Sequence, residues 1–217
     1  IKAICCTAVL FSAFSCTKDY LVVEPRDKMD PKSFFVSQAN AIQGVNGIYN
    51  AAIEPVKGRT YAIDFDCMSD NMYNYSRNQN TQEFGQGTNG ASSVYALNFW
   101  NRGYRGISRA NLLLEWLDAC YERDAPTVNI KERLRAEALF LRAYFYSELT
   151  DFFGDVPFYT TTVDLSSAKA REPKATIVSA ILQDLENAAA ELPVRHFGDD
   201  IGRATRGAAL ALKGKIQ

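Results

Sequence analysis

Residues 57–98 are rich in amide, acidic and aromatic side chains and show no sustained hydrophobic period. Amide, carboxylate and guanidinium groups can form paired hydrogen bonds with neighbouring hydroxyls, and flat aromatic faces can stack on the C–H side of a pyranose ring. This is the chemistry of sugar binding. The candidate ligand-binding residues are Asp70, Asn71, Tyr73, Asn74, Tyr75, Arg77, Tyr95 and Asn98. Asn and Asp are also common in surface turns, so scaffolding is the alternative role for each of them.

The aromatic residues in and beside this stretch divide into two groups. Trp100 and Tyr104 are four residues apart, which places them on one face of a helix and favours packing for both. Tyr73, Tyr75 and Tyr95 fit no helical period. We therefore expect these three rings to be the candidates for stacking on a ligand.

Two catalytic or cofactor patterns in the same stretch lack the context that they need. Asp64, Asp66 and Asp70 are clustered acids, but acid–base catalysis requires two carboxylates that face each other across a cleft. A surface glycoside hydrolase that uses these aspartates is thus the weaker alternative. The run "GQGTNG" at residues 85–90 fits a dinucleotide-binding expression, but no buried strand precedes it, so we predict a flexible loop.

Cysteine, histidine and net charge exclude further classes of site. The five cysteines form no CxxC pair and His196 is the single histidine, so we predict no metal site, no cofactor and no Cys/His nucleophile. His196, Asp199 and Asp200 lie near glycines between helical segments, which indicates a surface turn. The net charge of −1 argues against a nucleic-acid partner.

The amino-terminal segment has the pattern of a lipoprotein signal. An uncharged apolar run of about a dozen residues follows Lys2 and is too short to span a membrane. Cys16 follows the small residues Ala13 and Ser15. In a lipoprotein precursor the signal peptide is cut off directly before such a cysteine, and the cysteine is acylated. We therefore expect residues 1–15 to be the signal peptide, Cys16 the lipid attachment site and residues 16–29 a polar tether. An ordinary secretory signal with an incidental cysteine is the alternative.

The rest of the chain is predicted to be helical and to hold residues 57–98 between helices. Apolar residues recur at three- and four-residue steps, and the run "NIKERLRAEALFLRAYFYSELTDFF" is apolar around most of its circumference. Strand signals are confined to "VPFYTTTV" at residues 156–163. The first predicted helix starts at Asp30 and Pro31 and ends near Pro55, and the second starts at Phe99. Pro126 breaks the chain before the third helix, which ends at Gly154. The fourth helix starts at Thr176 and ends at Pro193, and the fifth starts at Thr205.

These elements predict a mainly α fold of tetratricopeptide-like helix hairpins with a long irregular ligand-loop excursion. Ala and Gly at contact positions and short links are typical of such hairpins. The excursion is the functional candidate, because an irregular stretch of this length in a compact domain usually serves binding.

Several local patterns resemble one family. "AEALFLRAYFYSELTDFFGDVPF" at residues 136–158 is similar to the signature of SusD/RagB nutrient-binding lipoproteins of Bacteroidota, in which a helix with an E-A-x-F-L-R-A pattern runs into F-G-D-V-P. Four other stretches stand in the order that the family shows: "FFVSQANAIQGVNGIYNA", "WNRGYRGISRANLLLEWL", "IVSAILQDLENAAAELP" and "GRATRGAALALKGKI".

The resemblance implies a surface-exposed protein that is anchored to the outer membrane through its lipid. Such a protein would bind an oligosaccharide and deliver it to a SusC-like TonB-dependent transporter, without catalysis. Residues 30–217 would be the amino-terminal helical domain, truncated at its carboxyl end, and Glu137 and Arg142 of the signature would serve helix packing. A helical-repeat adaptor that grips a protein partner and binds no ligand is the alternative of a different class.

Overall fold

The computed structural model describes residues 30–53, 66–67, 69–72, 83, 85–88, 90, 92–118, 128–162 and 168–217. Most of these residues are helical, and the prediction of a mainly α fold is confirmed. Within the described ranges, β pairing is limited to one isolated antiparallel bridge between Val156 and Glu172. The helices are α1 (Pro31–Phe34), α2 (Gln38–Ile53), α3 (Val94–Trp116), α4 (Val128–Phe153), α5 (Lys174–Glu191) and α6 (Arg206–Ile216), and a short 3₁₀ turn at Gly198–Asp200 precedes α6.

Consecutive helices from α2 to α6 pack as antiparallel pairs. Between α2 and α3, Arg102 Nη1 donates to the Ala52 carbonyl (3.3 Å) and Arg109 Nη1 donates to the Gly47 carbonyl (2.6 Å), so the numbering rises on one helix as it falls on the other. The later pairs are also antiparallel. Between α3 and α4, Gly103 lies beside Leu149 and Gly106 beside Phe145, and between α4 and α5, Arg142 pairs with Asp184 and Lys174 with Asp151. Between α5 and α6, Lys213 pairs with Glu186, and the Arg206 amide donates to the Pro193 carbonyl.

Two glycines let α3 and α4 approach closely. A Cβ added to Gly103 would lie 2.8 Å from Leu149 Cγ, and one added to Gly106 would overlap the ring of Phe145. Both partners are completely buried, so neither can move into solvent. Glycine at these two positions therefore sets the separation of the helices.

Helix α4 lies at the centre of the core, as its apolar circumference predicts. It contacts α2, α3, α5 and α6. Its buried residues include Leu134, Ala138, Leu141, Phe145 and Leu149, all less than 4% exposed. Burial of each Leu or Phe side chain contributes about 1.5–3 kcal/mol to the stability of the fold. Helix α4 is therefore the central packing element of the helical array.

The predicted first helix is interrupted. Asp30 caps α1 as expected, with its side chain accepting from the Lys32 amide at 3.2 Å. Phe35 then leaves the helical region (φ −80°, ψ 60°), and Ser37 Oγ accepts from the Asn40 amide at 3.2 Å to begin α2. The prediction of one continuous helix was wrong because Ser37 acts as a second amino-terminal cap.

Two other helix starts also differ from the prediction. Helix α3 begins at Val94 rather than at Phe99, because Ser93 Oγ accepts from the Ala96 amide. Helix α5 begins at Lys174 rather than at Thr176, because Asp155 Oδ1 accepts from the Lys174 amide at 2.9 Å.

The end of α4 and the start of α6 are as predicted. Gly154 follows α4 with φ +70°, in the left-handed region that suits glycine. Thr205 caps α6, with its hydroxyl accepting from the Ala208 amide at 3.3 Å. Both limits are set by local signals.

The predicted signal peptide, the tether and Cys16 lie outside the described residues. Among the helices of the described ranges, none has both the length and the apolar character that a membrane span requires.

Candidate functional site

The eight predicted ligand-binding residues fall into three groups in the structure. Tyr73, Asn74, Tyr75 and Arg77 lie outside the described residues. Asp70 and Asn71 are neighbours in an exposed turn. Tyr95 and Asn98 lie in the first turns of α3.

Tyr95 is buried. Because α3 begins at Val94, Tyr95 takes part in a helical period after all, and its side chain is only 3% exposed within the core. The expectation that it presents a ring for stacking is therefore corrected, and we assign Tyr95 to packing. Asn98 is half-buried one turn further on.

The turn that carries Asp70 and Asn71 is held by its own hydrogen bonds and contains one buried cysteine. Ser69 Oγ donates to the Asp66 carbonyl at 2.7 Å and accepts from the Asn71 amide at 3.2 Å. Cys67, at the base of the turn, is 5% exposed. The Asp70 carboxylate and the Asn71 amide are thus displayed to solvent on an ordered backbone.

The glycine-rich run packs against this turn. A Cβ at Gly85 would lie 2.7 Å from the Cys67 carbonyl oxygen, so the two segments touch through backbone atoms. Gly87 has φ +66°, and the Thr88 amide donates to the Glu83 carbonyl at 2.8 Å. Residues 85–88 therefore form a tight turn that supports the Asp70 turn, with none of the strand and helix context of a nucleotide site in the described residues.

Arg142 of the signature helix is a packing residue, as expected. Its Nε and Nη2 donate to the two carboxylate oxygens of Asp184 at 2.8 and 2.9 Å, and its Nη1 donates to Asn111 Oδ1 at 2.9 Å. Asn111 Nδ2 donates in turn to the carbonyls of Tyr159 and Thr161, both at 3.0 Å. The cluster ties α3, α4 and α5 together and fixes the chain that follows the F-G-D-V-P motif.

Two tyrosines hold the same chain segment from α3 and α4. Tyr146 Oη donates to the Tyr159 carbonyl at 2.9 Å and accepts from the Tyr159 amide at 2.7 Å, while Tyr104 Oη donates to the Pro157 carbonyl at 2.7 Å. Burial raises the pKa of both phenols well above the ordinary value of a tyrosine, so both stay neutral donors.

Trp100 and Tyr104 pack together, as the helical spacing predicts. Their ring centroids are 4.8 Å apart, and Trp100 also meets the Phe153 ring edge-on at 5.0 Å. Arg171 lies over the Trp100 ring, 5.7 Å from its centroid. These contacts make the pair part of the packing between α3 and the end of α4.

Glu137, the other charged signature residue, is completely buried in an ionic cluster. Arg203 Nη1 donates to Glu137 Oε2 at 3.1 Å, and Arg133 Nε lies 3.4 Å from Oε1. Asp200 joins both arginines, at 2.7 Å from Arg133 and 2.6 Å from Arg203. The hydrogen bond from Arg133 holds the pKa of Asp200 below its usual range, and Arg203 reinforces this effect.

His196 is buried, although the residues around it in the turn are exposed. His196 is 9% exposed, and its Nε2 lies 2.8 Å from the Ala204 carbonyl oxygen. The expectation of a surface turn was wrong for His196, because the chain folds back to begin α6, although Asp199 is exposed. In the described ranges, no group of three or more His, Cys, Asp or Glu residues could hold a metal ion.

The comparisons with known proteins agree with this architecture. Residues 19–217 match the model of a SusD-like family described as "Starch-binding associating with outer membrane". SusD-like protein P25 of Formosa agariphila is 29% identical over 224 residues, which cover 96% of this chain and 41% of that protein.

Solved structures of similar fold include two SusD-like proteins. A SusD-like protein of Bacteroides fragilis superposes with a TM-score of 0.74 at 24% identity, over 89% of this chain and 37% of its own. A laminarin-binding SusD-like protein superposes with a TM-score of 0.73 at 25% identity, over 83% of this chain and 40% of its own. This chain thus spans about two fifths of the length of these relatives. Since the family model matches nearly all of the sequence, the chain belongs to the SusD-like family.

Proposed function

We propose that this chain is part of a cell-surface lipoprotein that binds an oligosaccharide and delivers it to a SusC-like TonB-dependent transporter of the outer membrane. The observation that carries the proposal is the match of residues 19–217 to a family described as starch-binding and associated with the outer membrane. The laminarin-binding relative supports a glycan as the ligand. Binding, without catalysis or a cofactor, is the whole of the proposed role.

The ligand-binding part is the stretch before α3 together with Asn98 near the start of α3. Asp70 and Asn71 are exposed side by side, on a turn that Gly85 contacts at the Cys67 backbone. A carboxylate beside a carboxamide offers acceptors and donors to neighbouring sugar hydroxyls at little cost in ordering. In this proposal Tyr73 and Tyr75 provide the stacking faces, and Asn74, Arg77 and Asn98 complete the polar contacts.

The first experiment measures glycan binding by the full-length protein without its leader. A panel of oligosaccharides that includes starch and laminarin fragments is titrated calorimetrically against the wild type and the double variant Asp70→Ala/Asn71→Ala. Two lost hydrogen bonds of about 1 kcal/mol each should weaken binding at least tenfold. Asp199→Ala, which removes an exposed acid from a turn outside the stretch, should bind as the wild type does.

The same preparation separates the other classes of function. If no glycan binds while the protein still co-purifies with a transporter, the role is that of a helical-repeat adaptor. If reducing ends are released from a glycan and Asp70→Ala abolishes their release, the protein is a glycoside hydrolase. Either result would refute the proposal of non-catalytic glycan binding.

The lipid anchor has its own test. Cys16→Ser in the full-length precursor should move the protein from the membrane fraction to the soluble fraction, since the acyl chains are attached to that thiol. Cys5→Ser, within the proposed signal peptide, is the matched control and should leave the protein in the membrane fraction. Membrane retention of Cys16→Ser would refute the anchor.

A further inference from the structure

A mostly apolar groove of about 340 Å³ lies beside the first helix. Pro31 and Phe34 of α1 line it together with Gly44 of α2 and Leu112 of α3. Phe34 and Leu112 pack against the hydrophobic core but are only half-buried, so the described residues leave part of their apolar surface uncovered. We call this feature the α1 groove.

Among the described residues that line the α1 groove, Arg109 is the one with a charge. Its Nη1 donates to the Gly47 carbonyl at 2.6 Å, which is the only hydrogen bond of this side chain within the described ranges. A guanidinium carries five N–H donors, so most of those of Arg109 are left for a further partner. A matching occupant of the groove therefore combines apolar side chains with an acidic group.

The segment directly before α1 has this composition. Residues 16–29 contain one run of apolar side chains, "YLVV" at residues 20–23, and the acids Asp19 and Glu24 stand on either side of it. Consecutive valines favour extended backbone, and so does the position of Glu24 before a proline. A tether needs no such run, and glycan binding gives these residues no role.

We propose that residues 20–23 dock in the α1 groove and bring a flanking acid to Arg109. Extended backbone covers about 25 Å between Val23 and Asp30, and the next residue, Pro31, already lines the groove. The groove is therefore within reach of the segment. Because so short a linker gives an effective concentration in the millimolar range, a contact too weak to join separate molecules is sufficient within one chain.

Docking shortens the free part of the tether. When fully extended, residues 16–29 reach about 50 Å from Cys16, whereas residues 16–19 alone reach about 14 Å. Docking thus holds α1 and the helical array close to the membrane surface. This consequence rests on the proposed lipid anchor, but the docking itself depends neither on acylation nor on glycan binding.

The test measures thiol labelling at the groove in the full-length protein without residues 1–16. Gln43 is exposed and lines the α1 groove. Gln43→Cys is combined either with the native tether or with Tyr20→Ser/Leu21→Ser/Val22→Ser/Val23→Ser, and the modified peptide is followed by mass spectrometry. We expect the thiol to react at least tenfold more slowly with the native tether than with the serine tether. Equal rates with the two tethers overturn the proposal.

Ala39→Cys is the matched control, since Ala39 is exposed on the same helix but does not line the groove. Its labelling rate should be the same with both tethers. If the serine tether accelerates labelling at Ala39→Cys as much as at Gln43→Cys, the tether acts on α2 as a whole and the proposal is overturned.

The choice of occupant is tested by dilution. Protection of Gln43→Cys that persists in dilute protein, shown to be monomeric by light scattering and free of transporter, supports docking of the tether of the same chain. Protection that appears only at high protein concentration, or only after the transporter is added, overturns it and assigns the groove to that partner. Glycan affinity enters none of these outcomes, so the docking can fail while the proposed function stands.

Discussion

Two glycine-to-alanine substitutions should have opposite effects on stability. An alanine in a helix interior is favoured over glycine by about 1 kcal/mol. At Gly47 in α2, an added Cβ would meet no other atom within 4 Å, so Gly47→Ala should stabilise the protein by roughly that amount. At Gly106 in α3, the same methyl group would overlap three ring carbons of Phe145, which is completely buried.

The expected loss at Gly106 follows from the packing of α3 against α4. Overpacking of a core costs about 1–3 kcal/mol, and a ring that cannot swing into solvent places this case at the upper end. After the gain in helix propensity, Gly106→Ala should destabilise the protein by about 2 kcal/mol. The two variants should therefore differ by about 3 kcal/mol.

The assay is urea unfolding of the full-length protein without its leader, followed by far-ultraviolet circular dichroism. Comparison of the two variants cancels effects that are common to any glycine-to-alanine change. If Gly106→Ala were as stable as the wild type, α3 and α4 would not be in the close contact described, and the reasoning would be refuted.

Two further predictions concern charged groups. Arg142→Met should lower the unfolding free energy by about 3 kcal/mol in the same urea assay, because it leaves the mostly buried Asp184 carboxylate without its partner. Lys174→Ala breaks an exposed pair and should cost less than about 1 kcal/mol. Equal losses would contradict the packing role of Arg142. The pKa of Asp200 lies below its ordinary value of 3.8 because of its bond to Arg133, so the folded state binds this proton more weakly than the unfolded state does. The resulting stability is present above about pH 4 and is lost as the pH falls through the folded pKa. The unfolding free energy of Asp200→Asn should therefore depend less steeply on pH below about 4 than that of the wild type. An unchanged slope would refute this role of Asp200.

Much of the helical frame could be predicted from the sequence because its signals are local. The apolar circumference of α4 requires neighbours on several sides, and the structure provides four of them. Gly154 and Thr205 mark helix ends through their own backbone and side-chain preferences. By contrast, Asp155 caps α5 from 19 residues away, and this contact leaves no local pattern.

The candidate site was less predictable than the frame. The sequence correctly indicates exposed polar residues at Asp70 and Asn71, because turn residues are hydrophilic whatever their role. It misplaced Tyr95, because Ser93 begins α3 earlier than the apolar period suggests. The burial of His196 depends on how the chain returns to α6, which is a tertiary property.

The most direct test of the central claim is the affinity of the full-length protein for its best glycan before and after Tyr73→Ala/Tyr75→Ala. Stacking contributes about 0.5–1.5 kcal/mol per ring, so the double variant should bind about 5- to 140-fold more weakly. Its melting temperature should equal that of the wild type. An unchanged affinity, or a wild-type protein that binds none of the glycans, would contradict the account.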